Sequence, residues 1–233
     1  VYQEQIMQVA QTIGGFSLGK ADILRKAMGK KQMDKMQSMK QEFIDGAKEK
    51  GVDGKKADEI FQIMEKFAAY GFNRAHATAY SMIAYQTGYL KANYPAEFMA
   101  AVLSQNMEEI DKVVNFIEEC RRMGIQVLPP NVNESDYQFS VNTNGDIRFG
   151  MGAIKGVGEA AVRAIVDERQ KRGPYQDIFD LAKRVNLKAV NRKALESLAS
   201  AGALDAFEGY HRAQYFAKEK ENGPTLLEKA LKF

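Results

Sequence analysis

The 233-residue chain has 45% hydrophobic and 27% charged residues, a composition able to bury a core in one large or two smaller domains. Net charge is +3, and no run of about 18 apolar residues occurs, so no membrane span and no membrane partner are expected. A single cysteine excludes an internal disulfide, fits a reducing, cytoplasmic compartment, and with two histidines makes a thiolate or imidazole metal site improbable.

In chain order, Ile6, Val9, Ala10 and Ile13 follow helical spacing until Gly14-Gly15. Residues 21–28 predict a second short helix. Residues 33–50 predict a long one with Met33, Met36, Phe43 and Ala47 inward, and residues 57–69 a further one carrying Ile60, Phe61, Met64 and Phe67. Tyr70-Gly71-Phe72-Asn73 breaks this run, and helix resumes over 75–92, 97–103 and 111–123. Cys120 sits at helical spacing from apolar neighbours and reads as a buried structural thiol. The absence of an initiator Met and of a basic, apolar leader leads us to expect a piece of a longer protein.

The pattern then changes. Leu128-Pro129-Pro130-Asn131 is turn-rich; Tyr137, Phe139 and Val141 alternate with polar residues, as do Ile147 and Phe149, around Thr143-Asn144-Gly145-Asp146. This predicts a short β-hairpin, with a subdomain boundary within 124–145. Helices follow at 159–171, 178–182 and 192–199, and the stretch 218–233 reads as a charged helix without identifiable packing partners. The expected fold class is mainly α.

The most informative stretch is Ala153-Ile154-Lys155-Gly156-Val157-Gly158-Glu159-Ala160-Ala161. A short helix is cut by Gly-Val-Gly and a new helix starts at once. Such a turn leaves N–H groups unpaired at the helix N-terminus, where the dipole favours an anion such as a phosphate oxygen. Residues 148–193 hold eleven Lys and Arg against five Asp and Glu, which suits sequence-independent phosphate binding. Leu195, Leu198, Ala199 and then Ala201-Gly202-Ala203-Leu204-Asp205 read as a second, weaker hairpin, with Gly173-Pro174-Tyr175 and Phe179-Asp180-Leu181 as the connector. Asp177 lies near the spacing of a glycosylase aspartate, but in a turn entering a helix. Gly14-Gly15-Phe16-Ser17-Leu18-Gly19-Lys20 imitates a phosphate loop, yet Ala21 replaces the Ser or Thr that binds Mg²⁺ and no strand precedes it.

The Gly-Val-Gly segment resembles the helix-hairpin-helix family, which holds the backbone of duplex DNA, often with a monovalent cation on the hairpin carbonyls. Val1-Tyr2-Gln3-Glu4-Gln5, Ala27-Met28-Gly29-Lys30-Lys31, Tyr70 to His76 and Tyr94-Pro95-Ala96-Glu97-Phe98-Met99-Ala100 resemble the fingers of the bacterial DNA polymerase III alpha subunit family. The stretch 152–158 is similar to the same family in the same order, and the resemblance extends to about residue 212. It implies fingers over 1–125, a connector with the start of the β-hairpin over 126–145, a tandem helix-hairpin-helix module over 146–212 and a charged helical tail over 213–233. It implies DNA-directed DNA polymerisation in a full-length subunit, with Mg²⁺ held by a preceding palm domain. No Asp-x-Asp occurs here, so the fragment alone should be inactive. The implied partners are duplex and primer-template DNA, dNTP, and further holoenzyme subunits through other regions.

By this resemblance Arg25, Lys26, Tyr70, Arg74 and His76 are the candidate nucleotide-binding residues. For His76 an ordinary structural role stands beside the functional one. Candidate DNA-binding residues are Lys30, Lys31, Lys155, Gly156, Val157, Gly158, Arg163 and Gly202; for Lys30 and Lys31 a solvated helix face is an equal alternative. The other reading is a stand-alone, non-enzymatic DNA-binding or scaffold protein sharing the hairpin.

Overall fold

A computed structural model describes residues 2–30, 32–68, 72–218 and 223–232. Spatially the chain divides into two units, 1–87 and 88–233.

The first unit contains α1 (Gln3–Thr12), α2 (Leu18–Gly29), α3 (Met33–Glu49), α4 (Gly54–Ala68) and most of α5 (Arg74–Asn93), within which the division falls. Its core is built from one stripe of each of the first four helices, including Ile6, Ala10, Leu24, Met36, Phe43 and Phe61. Phe43 is central, with ring centroids 6.1 Å from Phe16 and 5.5 Å from Phe61. Gly14 is required where it stands: a Cβ there would lie 2.2 Å from Phe43, and one on Gly46 would lie 2.1 Å from the Gly14 carbonyl. The Gly-rich imitation of a phosphate loop is therefore a packed helix–helix corner. Ser17 caps α2 by accepting from the Lys20 N–H, and Lys20 itself pairs with Glu42.

Two expectations about the core of this unit are corrected. Met33, the first residue of α3, is 53% exposed, and Phe67 near the end of α4 is 43% exposed. Helix α2 also starts earlier than its sequence pattern, at Leu18, where the Ser17 side chain caps the first turn. Tyr70 and Lys31 lie outside the described residues.

In the second unit α6 (Pro95–Gln105) and α7 (Ile110–Arg122) follow, with Pro95 at the start of α6, where its missing N–H costs nothing. They pack Met99, Leu103, Val113 and the fully buried Cys120 against Phe139 and Ile147. The expected hairpin is present as β2 (Ser140–Val141) and β3 (Ile147–Arg148), with Val141 opposite Ile147. A third strand, β1 (Val127–Leu128), pairs parallel to β3 and went unrecognised because two residues before a Pro-Pro turn carry no periodicity.

The remainder forms one further core. The element before the Gly-Val-Gly turn is a single 3-10 turn, Met151–Ala153, rather than an α-helix. Then come α8 (Glu159–Arg172), α9 (Ile178–Arg184), α10 (Arg192–Ala201), a 3-10 turn Arg212–Tyr215 and α11 (Leu226–Ala230). Ile165, Ile178, Leu181, Leu195, Leu198, Leu204 and Tyr215 fill this core. The charged tail helix is corrected: among the described residues of 218–233 the helical segment is Leu226–Ala230. It starts after Pro224 with a reciprocal Thr225–Glu228 capping box. Its partners are now defined, because Leu227 and Ala230 join the core and Glu228 pairs with Arg192 at 2.7 Å.

Candidate nucleic-acid interface

The first hairpin is anchored from below. Ile154 and Val157 point into the core at 8% and 6% exposure, and the Val157 N–H donates to the Ile154 carbonyl at 3.1 Å. Between them Gly156 takes a φ of +90°, and a Cβ there would lie 2.7 Å from Ser197 Oγ of α10. Gly158 is the N-cap of α8 with ordinary extended backbone (φ −81°, ψ 159°), and a Cβ on it would meet nothing. Above the anchor, the exposed N–H groups of Gly158, Glu159 and Ala160 find no partner among the described residues. That is the arrangement an anionic oxygen completes.

The charge around the turn is more selective than the local count implied. Arg169 donates to the carbonyls of Val132 and Ser135, each at 2.9 Å, and pairs with Asp136 at 3.0 Å. Arg184 lies against the Tyr175 ring (4.4 Å to the centroid) and donates to the Gly173 carbonyl at 2.8 Å and to Asp180 at 3.0 Å. Arg148 is held by the Pro129 carbonyl and Glu134. Arg163 pairs with Glu159 at 2.5 Å, and Arg172 and Arg192 are likewise paired. Five exposed lysines, 155, 171, 183, 188 and 193, make no ion pair among the described residues. Lys155 is in the turn itself. Lys193, with Ser197, was missed by sequence reasoning: its Cε lies 3.8 Å from where a Gly156 Cβ would be. Nothing in the linear pattern links positions 156, 193 and 197; the packing of α10 against the turn does.

The second hairpin is closed. Gly202 ends α10 at φ +87°, its N–H donating to the Ala199 carbonyl while the Ala203 N–H donates to that of Leu198. Gly202 is buried, and a Cβ there would lie 2.2 Å from Arg212 Nη2, which pairs with Asp205 directly above. Asp177 accepts from the Asp180 N–H at 2.8 Å and so caps α9.

A second basic cluster gathers in the first unit. Arg25 and Lys26 on α2 share one carboxylate: Asp22 Oδ1 lies 2.8 Å from an Arg25 Nη2 and Oδ2 lies 2.8 Å from Lys26 Nζ. Hydrogen bonds from Lys26 and Arg25 hold the Asp22 carboxyl below its usual pKa. Glu4 of α1 accepts from the Arg74 backbone N–H at 3.0 and 3.2 Å, which brings the start of α5 beside α1. That bond, with smaller contributions from the charges of Arg25 and Arg74, lowers the Glu4 pKa. The Arg74 guanidinium itself makes no ion pair among the described residues. His76 is exposed, its ring between those of Phe72 (5.1 Å) and Tyr80 (4.2 Å), while Asn73 caps its backbone N–H at 2.9 Å. Lys30 is exposed at the end of α2. Asp22 and Glu4 were also missed, although Asp22 precedes Arg25 and Lys26 by one helical turn. Among the described residues no cluster of three or more His, Cys, Asp or Glu is placed to hold a metal ion, and no helix is long and apolar enough to cross a membrane. The residues present do not fit a two-Mg²⁺ site.

The comparisons follow this division of labour. The family model for the bacterial DNA polymerase III alpha subunit finger domain matches residues 1–51, and that for the helix-hairpin-helix motif matches 124–215. DNA polymerase III subunit alpha of Vibrio cholerae is 50% identical over 217 residues, 93% of this chain and 19% of that protein. The subunits of Thermus aquaticus (53% over 207 residues, 89% of this chain and 17% of that protein) and Escherichia coli K12 (49% over 213 residues, 91% and 18%) are similar. The chain thus spans about a fifth of the length of the curated relatives it matches. With finger and hairpin segments in the same order and half the residues identical across nine-tenths of its length, the chain belongs to the family of bacterial DNA polymerase III alpha subunits, of which it represents a segment.

Proposed function

We propose that this segment serves template-directed DNA synthesis by supplying two phosphate-binding surfaces, one for the incoming nucleotide and one for the duplex. In the reaction the primer 3′-oxygen loses its proton and bonds to the α-phosphorus, and pyrophosphate leaves. The two Mg²⁺ ions that polarise those oxygens would be held outside this segment. Arg25, Lys26 and Arg74 offset triphosphate charge, and Tyr70 and His76 wall the base. Lys30 and Lys31 would contact primer-template DNA. In this reading residues 1–125 act as fingers, 126–145 as connector and 146–212 as the duplex clamp. Other replication subunits would attach elsewhere in the full-length subunit.

The observation that carries the duplex reading is the ring of unpaired N–H groups at Gly158, Glu159 and Ala160 with Lys155 and Lys193 beside it. Gly156 and Val157 shape and anchor the turn, Gly202 shapes the second one, and Arg163 contacts phosphate once it leaves Glu159. A monovalent cation belongs to the same proposal, held by hairpin carbonyls. Binding of random-sequence duplex across a salt series tests it. Lys155→Ala/Lys193→Ala should reduce the slope of log K against log salt by about 2, one per lost phosphate contact, without sequence bias. An unchanged slope would remove the duplex from this turn.

A further inference from the structure

The nucleotide cluster carries a carboxylate where a site for a polyanion would be expected to carry none. Asp22, Arg25 and Lys26 share one face of α2 at spacings of three and four. Both oxygens of Asp22 are used, Oδ1 for Arg25 Nε at 2.9 Å and Nη2 at 2.8 Å, and Oδ2 for Lys26 Nζ at 2.8 Å. The arrangement is more than a helix-surface pair, because one acid divides itself between two cations and halves their net charge. Arg74, the third cation, is treated differently: Glu4 takes its backbone N–H, and among the described residues its guanidinium has no ion pair.

We propose that Asp22 is a positioning residue that pre-sets the Arg25 and Lys26 side chains and limits how strongly they hold the polyphosphate, so that pyrophosphate can leave. The inference rests on the nucleotide reading of Arg25. Without Asp22, both cations are free to close on whatever phosphate occupies the site, substrate or product. With Asp22, part of the donor capacity of both cations is already committed, and the carboxylate's charge opposes whatever phosphate they approach. A single negative charge within about 6 Å of a triphosphate is enough to change binding several-fold even in water-like dielectric.

The test uses the full-length subunit carrying this segment, with primer extension followed at varied dNTP and added pyrophosphate. Asp22→Asn should lower KM for all four dNTPs about three- to tenfold, with no gain in kcat. The inhibition constant for pyrophosphate should fall by a similar factor, and the difference from wild type should shrink as salt rises. Asp22→Glu, which keeps the charge, should return both constants towards wild type. A merely structural role would leave pyrophosphate inhibition and its salt dependence unmoved. Unchanged or raised KM with unchanged pyrophosphate inhibition overturns the inference. If Asp22→Asn fails to fold, Asp22→Ser carries the same expectation, and failure of both to fold marks the residue as structural and also overturns it. Arg25→Ala separates the two layers. A raised KM there with no effect at Asp22 defeats only this inference, whereas no effect of Arg25→Ala defeats the nucleotide reading beneath it.

Discussion

Gly158 offers a test in which folding and binding come apart. A Cβ at this position meets no atom of the chain, and its φ of −81° suits any residue. Replacing Gly by Ala lowers the entropy of the unfolded chain, which stabilises by about 0.4–1 kcal/mol. Ala is a poorer N-cap than Gly, which costs a similar amount. The net change should stay within about 0.5 kcal/mol, or roughly 2 °C in Tm for a chain of this size. The methyl group, however, adds bulk in open space next to the unpaired N–H groups of Glu159 and Ala160. A charge-assisted hydrogen bond contributes about 1.5–3 kcal/mol, so losing one weakens duplex binding about ten- to hundredfold. The assay is fluorescence anisotropy with random-sequence duplex, alongside a thermal melt of the same preparation. Gly156→Ala is the contrasting variant. It forces a side chain to φ +90° and against Ser197, so both affinity and stability should fall. If Gly158→Ala binds within twofold of wild type while melting normally, no phosphate approaches this turn and the argument from open N–H groups is wrong.

Two further expectations concern the scaffold. Arg184→Met keeps the apolar contact with Tyr175 but deprives Asp180 and the Gly173 carbonyl of their donor. It should cost about 2–4 kcal/mol and lower Tm by roughly 5–15 °C, and a shift under about 2 °C would mean water replaces the guanidinium without penalty. Tyr175 and Tyr215 are buried, and desolvation pushes both hydroxyls up to about 12. Because the folded-state values lie above the ordinary value near 10, their contribution is complete below about pH 10 and is lost as pH rises towards 12, on the order of 2 kcal/mol each. Phenolate absorbance of the folded chain should therefore show two late-titrating tyrosines, and ordinary midpoints for all of them would refute the burial argument.

The amino-acid order alone determined most of the helices and the central turn. Apolar spacing at Ile6, Ala10, Phe43, Phe61 and Leu198 is a local property, and a Gly-Val-Gly stop followed by Glu-Ala-Ala dictates a helix restart whatever surrounds it. Tertiary structure decided what the charges do. In the sequence Arg148, Arg169 and Arg184 count the same as Lys155 and Lys193. In the fold the arginines satisfy carbonyls and carboxylates of distant segments, while the lysines stay in solvent. Long-range contact decides that partition, and charge carries no periodicity from which to read it. The same reason applies to Glu4, which meets Arg74 across 70 residues, and to β1, which becomes a strand only because β3 is there to pair with it. Gly202 shows the opposite case to Gly158. Both end or begin a helix, but packing puts one beneath the Arg212–Asp205 pair and leaves the other open. Which glycine a phosphate can reach is decided by neighbours that the local sequence does not contain.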